Sequence, residues 1–206
     1  MPGSAAIRRR PTQERAKERV ERILAAASEL IAETGSDAVR MSEIAARAGV
    51  PIGSLYQYFP DKPAILRVLA QRVMERVREG LIASLTGLDS GREAVARVDA
   101  LIEGYYQLFI TEPDVRDIWS ATQSDKALQA LDVEDSRENA RVFFASLKHL
   151  VPKRDHQRFE AASFLLMQLA GSAVRLAIAV ERKEGDRLIK EYRAMTRREL
   201  ETFFKD

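Results

Sequence analysis

Helical periodicity runs along almost the whole chain and limits the fold more than any other sequence feature. In the first periodic segment, apolar residues recur at steps of one and three positions, which aligns them along one face of a helix. They are Val20, Ile23, Leu24, Ala27, Leu30 and Ile31. No run of residues alternates between apolar and polar, as a half-buried strand does, for more than a few positions. The sequence therefore predicts an all-α protein.

Proline and glycine residues divide this pattern into about nine helices. Thr12 follows Pro11 and can cap the first helix, and Gly35 ends it. The expected ranges are 12–34, 41–48, 52–58, 63–85, 92–110, 114–122, 124–151, 155–182 and 186–204. The acidic stretch around Asp132–Asp135 is expected to bend the seventh helix, and Gly185 is expected to separate the last two.

Charge is distributed unevenly, although the net charge of the 206 residues is only +2. The first 62 residues carry ten Lys and Arg against eight Asp and Glu, whereas the remaining residues carry 23 of each. Arg8, Arg9 and Arg10 form a basic block close to the N-terminus. We therefore expect a flexible basic arm over residues 1–11, a small helical domain over 12–62 and a larger helical body over 63–206.

Composition disfavours several classes of protein. The chain contains no cysteine, which excludes disulfides and thiolate metal sites and fits a reducing cytoplasm. His149 and His156 are isolated, with no third metal ligand near either of them in sequence, so no metal or other cofactor is expected. The start of the chain lacks the apolar core of a secretory signal.

The apolar stretch from Ala161 to Val180 is long enough to be mistaken for a membrane span. Polar residues interrupt it at Ser163, Gln168, Ser172 and Arg175. A charge at that depth would cost several kcal/mol in a bilayer. We expect instead a helix that is buried on two sides in protein, and no membrane partner.

The segment from Met41 to Lys62 has the spacing of a helix-turn-helix. Gly49 lies at the turn between two short helices, where a positive φ is often needed. Val50 and Leu55 can then bury against Ile44 and the apolar stripe of the first helix.

The second helix of this segment is left with an unusual solvent-facing side. Its outward residues are Ile52, Gly53, Ser54, Tyr56, Gln57 and Tyr58. An uncharged surface of small and aromatic residues is odd for a solvated face, but it suits a helix that enters the major groove of DNA. Gly53 lets the backbone approach the DNA, and the hydroxyl and amide groups can bond to phosphates and base edges.

At these residues the sequence resembles the DNA-binding domain of the TetR family of transcriptional regulators. The matching positions are Ile44–Ala45, Ala48–Val50, Gly53–Phe59 and Lys62. They fall within about twenty contiguous residues that follow one N-terminal helix, and the rest of the chain matches in helical architecture. The resemblance implies a three-helix DNA-binding domain followed by a larger helical domain for ligand binding and dimerisation.

The resemblance also implies individual roles in DNA binding. The residues expected to contact DNA are Arg40, Ser42, Ile52, Gly53, Ser54, Tyr56, Gln57, Tyr58 and Lys62. Among them, Tyr56, Tyr58 and Lys62 are expected to contact phosphates. Many members of the family have threonine at the position of Arg40 or Met41, where the hydroxyl helps to hold a phosphate. Here Arg40 could substitute through its charge, whereas Met41 could not.

Simpler explanations stay open for several of these residues. Tyr56 and Tyr58 could be core residues, and Phe59, which faces the following helix, is expected to be one. Lys62 could be a solvated charge. Arg8–Arg10 could form an unstructured tail rather than an arm that reaches an adjacent groove.

Two further sets of residues are expected in the helical body. An aromatic-rich set could line an apolar effector cavity, as the resemblance implies, and the alternative for each member is ordinary core packing. It comprises Tyr105, Tyr106, Phe109, Trp119, Phe143, Phe144, Phe164 and Met167. A second set, on the last two helices, could join two subunits in a four-helix bundle, and the alternative is a purely internal bundle. It comprises Ala170, Gly171, Val174, Ile178, Leu188, Tyr192 and Met195.

Together these features predict a homodimeric, ligand-responsive transcriptional regulator of the cytoplasm, most simply a repressor. Two recognition helices would bind a near-palindromic operator in double-stranded DNA, and a small-molecule effector would release it. An enzyme is disfavoured, because the sequence has no phosphate-binding glycine loop, nucleophile elbow or clustered histidines and carboxylates. A helical adaptor that has lost DNA binding is the third hypothesis, which the intact set of Tyr56, Tyr58 and Lys62 disfavours.

Overall fold

The computed structural model describes residues 5–121 and 126–204 of the chain. The first residues of the expected arm and the junction between the expected sixth and seventh helices lie outside this part. Within it, the fold is all-α, as predicted. The helices are α1 (Ala5–Thr34), α2 (Met41–Arg47), α3 (Ile52–Tyr58), α4 (Lys62–Leu85), α5 (Gly91–Thr111), α6 (Pro113–Ala121), α7 (Lys126–Leu147), α8 (His156–Ala179) and α9 (Arg182–Glu201).

Three helices differ from the sequence prediction in their extent. α1 starts at Ala5 rather than near Pro11, so the described part of the expected arm, residues 5–11, is helical. Residues 5–10 consist mainly of alanine and arginine, which are among the strongest helix formers. α7 is not interrupted at Asp132–Asp135, where a bend was expected. α9 begins before Gly185, which was expected to separate the last two helices.

One hydrophobic core unites the N-terminal helices. Its most deeply buried members are Ile23, Leu24 and Ala27 of α1, Ile44 of α2, Leu55 of α3, and Ile65 and Ala70 of α4. Ile118 of α6 and Leu128 of α7 also pack into this core. The N-terminal helices are therefore joined to the body by apolar contacts as well as by the continuous chain.

α4 takes part in both cores of the protein. Asp61 caps its start by accepting a hydrogen bond from the backbone N–H of Ala64 at 2.8 Å. Leu69 belongs to the N-terminal core, whereas Val73 and Leu81 belong to the core of the body. A displacement of α4 in the body would therefore be carried to the N-terminal helices.

α8 is a core helix of the body and lies between α7 and α9. By length and composition alone, the segment Lys153–Ala179 could also cross a membrane. However, Phe159 and Val174 are fully buried within the chain, and Arg175 forms an ion pair with Asp132 of α7 at 3.2 Å. These contacts favour the interpretation of α8 as a helix packed in protein.

Candidate nucleic-acid interface and effector cavity

The turn between α2 and α3 has the geometry that the sequence predicts. Gly49 adopts a φ of 63°, in the left-handed region that glycine enters without steric cost. The backbone N–H of Val50 then donates to the carbonyl of Ala45 at 3.0 Å. Val50 and Leu55 are buried, as is Ile44. The packing of this helix-turn-helix fixes which side of α3 faces solvent.

The solvent-facing side of α3, here called the recognition face, consists of Ile52, Gly53, Tyr56 and Gln57. Ile52 is 44% exposed and Tyr56 is 51% exposed, which is unusual for large apolar and aromatic side chains. Gly53 has no heavy atom within 4 Å of the position that a Cβ would occupy. The alternative that Tyr56 is a core residue is therefore wrong.

The other expected contacts on α3 are more enclosed. Ser54 is half-buried, and its hydroxyl accepts a hydrogen bond from Nη1 of Arg19 at 3.4 Å. Tyr58 is also half-buried and packs against the N-terminal core, as the core explanation expects in part, and its contact with DNA stays a prediction. Phe59 is buried, as expected for a residue that faces α4.

Residues from neighbouring elements flank the recognition face. Arg40 and Ser42, at the start of α2, are both exposed, and the backbone N–H of Arg40 donates to Oε2 of Glu43 at 2.9 Å. Lys62 donates from Nζ to the carbonyls of Ser36 and Asp37, at 2.8 Å and 3.0 Å. An ammonium has three donors, so Lys62 can hold this loop and still offer one N–H to a phosphate.

α1 makes a contribution that was not predicted from the sequence. Arg15, Arg19 and Arg22 follow one another at helical spacing, and Arg19 reaches Ser54 of α3. Arg22 lies beside the turn, with Nη1 4.0 Å from the position of a Cβ on Gly49. The spacing of these three arginines could have predicted a basic stripe next to α3.

A partly open cavity of about 100 Å³ lies in the body and is lined by residues of α4 to α8. Four of the eight residues expected to line it do so, namely Tyr105, Trp119, Phe143 and Met167. Most of the remaining wall is aliphatic, and includes Val73, Met74, Val77, Leu81, Val98, Leu101 and Ile102. Val77, Leu101 and Tyr105 also line an open groove between α4 and α5, so these side chains separate the cavity from solvent on that side.

The other four aromatic residues lie away from the cavity wall. The Tyr106 hydroxyl hydrogen-bonds to Oδ1 of Asp186 at 3.0 Å, and Phe109 packs edge-on behind Tyr105 at 5.0 Å between ring centroids. Two more pack elsewhere: Phe144 contacts the rings of His156 and Phe159, and Phe164 lies under the guanidinium of Arg137. Successive residues on a helix point about 100° apart, so a cluster in sequence cannot all face one cavity.

Four polar residues of α7 form one side of the cavity, and none of them was predicted to line it. They are Asp132, Asp135, Ser136 and Asn139. Their spacing of three, one and three residues places them on one helical face, which continues into Phe143. Asp132 and Asp135 were expected to form a bend. That expectation is wrong: α7 continues through both residues, and arginines from α4 and α8 hold both carboxylates inside the helical body.

Each buried carboxylate has an arginine partner. Arg78 of α4 contacts Asp135, and its Nε donates to Oδ1 of Asn139 at 3.2 Å. Arg175 of α8 donates to Oδ2 of Asp132 at 3.2 Å. Burial raises the pKa of both Asp132 and Asp135, because desolvation of the charged form outweighs the opposing effect of the arginines.

The residues expected to join two subunits divide between the inside and the outside of the chain. Gly171, Val174 and Tyr192 are buried within the subunit, and Ala170 lines the cavity. They therefore face the wrong side for contact with a second chain. Ile178 and Leu188 are half-buried, and Met195 is 54% exposed.

A different row of α8 residues is exposed instead. Leu165, Leu169 and Leu176 recur at helical spacing on the side of α8 that no other described helix covers, and Leu165 is 58% exposed. With Met195 of α9 they form what is here called the α8–α9 apolar face. Large apolar side chains exposed together in this way mark an interaction surface.

Comparison with known proteins identifies both parts of the chain. Residues 23–69 match the family described as bacterial regulatory proteins, tetR family, and residues 92–204 match the tetracyclin repressor-like, C-terminal domain. The repressor KstR of Rhodococcus jostii is 44% identical over 61 residues, and the activator FasR of Mycolicibacterium smegmatis is 34% identical over 110 residues. These matches span 29% of KstR and 50% of FasR, and 30% and 48% of this chain.

Solved structures resemble the whole fold. A TetR-family regulator from Streptomyces coelicolor has 27% sequence identity and a TM-score of 0.69, over 91% of this chain and 98% of that one. SmeT in complex with triclosan has 18% identity and a TM-score of 0.66, over 91% of this chain and 92% of that one. Because the C-terminal match alone spans more than half of the residues, the chain belongs to the TetR family of transcriptional regulators, which are DNA-binding proteins and not enzymes.

Proposed function

We propose that this regulator acts as a homodimer in the cytoplasm, binds a near-palindromic operator, most simply as a repressor, and is released by a small-molecule effector. The recognition face carries the proposal, because Gly53, Tyr56 and Gln57 are exposed to solvent on α3. An exposed, uncharged helix face of this kind suits insertion into a major groove. The name of KstR as a repressor favours repression.

The residues around the recognition face divide by the chemistry they can offer to DNA. Gln57 carries an amide that can bond two positions of an adenine edge. Tyr56, the free donor of Lys62 and the charge of Arg40 suit phosphates, and Arg19 adds positive charge near Ser54. Ile52 can make apolar contact with a thymine methyl group.

Selection of genomic DNA fragments by the purified protein tests the proposal as a whole. A DNA-binding regulator should recover a near-palindromic site, and the logarithm of its affinity should fall linearly with the logarithm of salt concentration as phosphate contacts are lost. Recovery of unrelated fragments without such a site would favour the helical adaptor. The recovered site also supplies the operator duplex for the measurements below.

Two substitutions on the recognition face are expected to have different effects. Tyr56→Phe removes a hydroxyl proposed to meet a phosphate, so affinity should fall about tenfold for operator and non-operator duplexes alike. Gln57→Ala should instead weaken operator binding more than non-operator binding, because it removes a contact to a base edge. Fluorescence anisotropy with both duplexes at a fixed salt concentration measures the two effects.

Tyr106→Phe is the matched control for the loss of a tyrosine hydroxyl. Tyr106 lies in the body, where its hydroxyl bonds to Asp186, so Tyr106→Phe should leave both affinities unchanged. If Tyr56→Phe leaves both affinities at their original values, Tyr56 does not contact a phosphate. If Gln57→Ala lowers both affinities equally, Gln57 does not read a base.

Coupling between effector and DNA is proposed to pass through α4. This helix begins at Lys62, beside the recognition face, and farther along it carries Arg78, which binds Asp135 at the cavity. An effector that repositions this contact would change the spacing of the two recognition helices. Linkage requires that such an effector bind free protein more tightly than operator-bound protein, and equal affinities would contradict the coupling.

A further inference from the structure

The polar side of the cavity is built from hydrogen-bond acceptors. Asp132 is 5% exposed, and Asp135, Ser136 and Asn139 are each 8% exposed, so all four are more than nine-tenths buried. All four line the cavity, and none of the described residues that line it is a lysine or an arginine. A molecule in the cavity therefore lies beside two acidic residues as well as a largely apolar wall.

The two arginines that contact these carboxylates do not themselves line the cavity. Arg78 comes from α4 and Arg175 from α8, and the Arg175 guanidinium lies 5.9 Å from the centroid of the Trp119 ring in the cavity wall. Each carboxylate also accepts from an amide, Asp135 from Asn139 at 2.9 Å and Asp132 from Gln168. A carboxylate offers about four lone-pair positions, so these partners leave it able to accept a further hydrogen bond. Burial raises the pKa of both acids, because the arginines compensate only part of the cost of desolvating the charged form. A further positive charge beside the carboxylates would offset more of that cost.

The hydroxyl of Ser136 adds to this demand for a hydrogen-bond partner. Within the described part of the chain, no hydrogen bond involves this hydroxyl, although Ser136 is almost fully buried and lines the cavity. Unpaired buried polar groups are costly, so this position favours a ligand that bonds to it.

The rest of the wall suits the remainder of a small cation. Tyr105, Trp119 and Phe143 provide aromatic rings, which attract positive charge over their faces, and Met167 is a polarisable neighbour. The volume of about 100 Å³ restricts an occupant to a compact body, such as a single ring, unless the walls move. An anion of the same size would lie closer to these two acidic residues than to the arginines that pair with them, because only the acidic residues line the cavity.

We propose that the effector is a small organic cation, an amine with a compact apolar body, whose positive charge lies between Asp132 and Asp135. The identification as effector rests on the proposed function, whereas the cation site itself depends only on the cavity. A cation beside Asp135 replaces charge that Arg78 now supplies, and so loosens the contact between α4 and α7. Binding is thereby linked to the helix that leads to the recognition face.

Three ring compounds that differ in charge test the proposed ligand class on the full-length protein. Benzylammonium, benzyl alcohol and benzoate share one ring and have nearly the same size. Binding at neutral pH is followed by the fluorescence of Trp119, the single tryptophan of the chain, and by calorimetry. We expect benzylammonium to bind at least about tenfold more tightly than the other two. Equal or tighter binding of benzoate or benzyl alcohol, or no binding of benzylammonium, would overturn the proposal.

Asparagine substitutions locate the bound charge. Asp132→Asn and Asp135→Asn should each weaken benzylammonium binding about tenfold, because they remove a charge while keeping the shape. Asp99→Asn is the matched control: Asp99 also pairs with an arginine, Arg193 of α9, but does not line the cavity. If the cavity variants bind as tightly as the control, the site is wrong. The comparison of the three compounds on the unmodified protein decides the ligand class even if a variant fails to fold.

A parallel titration of the operator complex separates this inference from the proposed function. If benzylammonium binds and also releases operator DNA, both proposals hold. If it binds to protein that has no affinity for any DNA site, the regulator function fails and the cation site remains. If the protein binds operator but prefers benzoate or benzyl alcohol, the function remains and the cation proposal fails. If the cation binds without releasing DNA, its identification as effector is wrong.

Discussion

Replacing Leu176 by glutamate is expected to separate the protein into monomers and to lower its affinity for operator DNA about a hundredfold or more. Leu176 is 54% exposed on the α8–α9 apolar face, together with Leu165, Leu169 and Met195. Burying these side chains against a second copy would stabilise the dimer by about 25 cal/mol for each Å² of apolar surface removed from water. A carboxylate at Leu176 would instead be desolvated without a partner, which opposes association.

The loss of DNA affinity follows from the loss of the second recognition helix. In a dimer, one bound half-site holds the other α3 at high effective concentration, and this advantage disappears in a monomer. Light scattering coupled to gel filtration measures the mass, and anisotropy with the operator duplex measures the affinity.

Ile82→Glu is the matched control for this substitution. Ile82 is 46% exposed on α4, outside the α8–α9 apolar face, and it receives the same chemical change. We expect this variant to remain a dimer and to bind the operator. A dimer that survives Leu176→Glu would show that the subunits associate through another surface.

The helix-turn-helix could be predicted from sequence because its determinants are local. Gly49 needs a positive φ, and Val50 and Leu55 need burial, and these requirements lie within a few residues of one another. They leave one orientation for α3, which exposes Tyr56 and Gln57. The sequence was therefore sufficient to predict the exposure of these residues, although it also placed the half-buried Ser54 and Tyr58 on the same side.

The cavity and the apolar face could not be assigned in the same way. Periodicity shows that α8 has apolar residues on more than one side, but it does not show which side meets the body. Val174 is buried and Leu176 is exposed, although both are apolar and only two residues apart. That choice depends on how α7 and α9 pack against α8, which is a property of the whole fold.

The burial of Asp132 and Asp135 could not be predicted from local sequence either. Asp132 and Asp135 resemble a solvated bend when only their neighbours in sequence are considered. Their partners, Arg175 and Arg78, are 43 and 57 residues away along the chain. Charged residues are rarely buried unless paired, and pairs at such separations are not visible in a local pattern.

Gly185 was expected to separate the last two helices, but its position in the structure predicts a large effect on stability instead. It lies at the end of the first turn of α9, where a Cβ would be 2.3 Å from the backbone carbonyl oxygen of Ala177 and 3.0 Å from the hydroxyl of Tyr106. A backbone oxygen cannot move aside as a flexible side chain can. Gly185→Ala is therefore expected to force α9 away from α8 and to lower the free energy of unfolding by about 3 kcal/mol.

Gly104→Ala is the same chemical change, but it is expected to raise the free energy of unfolding rather than lower it. Gly104 is an exposed residue within α5 with no heavy atom within 4 Å of a Cβ position, so alanine should stabilise the helix by about 0.5–1 kcal/mol. Urea unfolding followed by circular dichroism, at equal protein concentration because a dimer is stabilised by mass action, measures both changes. An unchanged midpoint for Gly185→Ala would mean that α8 and α9 can separate without cost. In that case the α8–α9 apolar face would be a looser surface than the close contact at Gly185 implies.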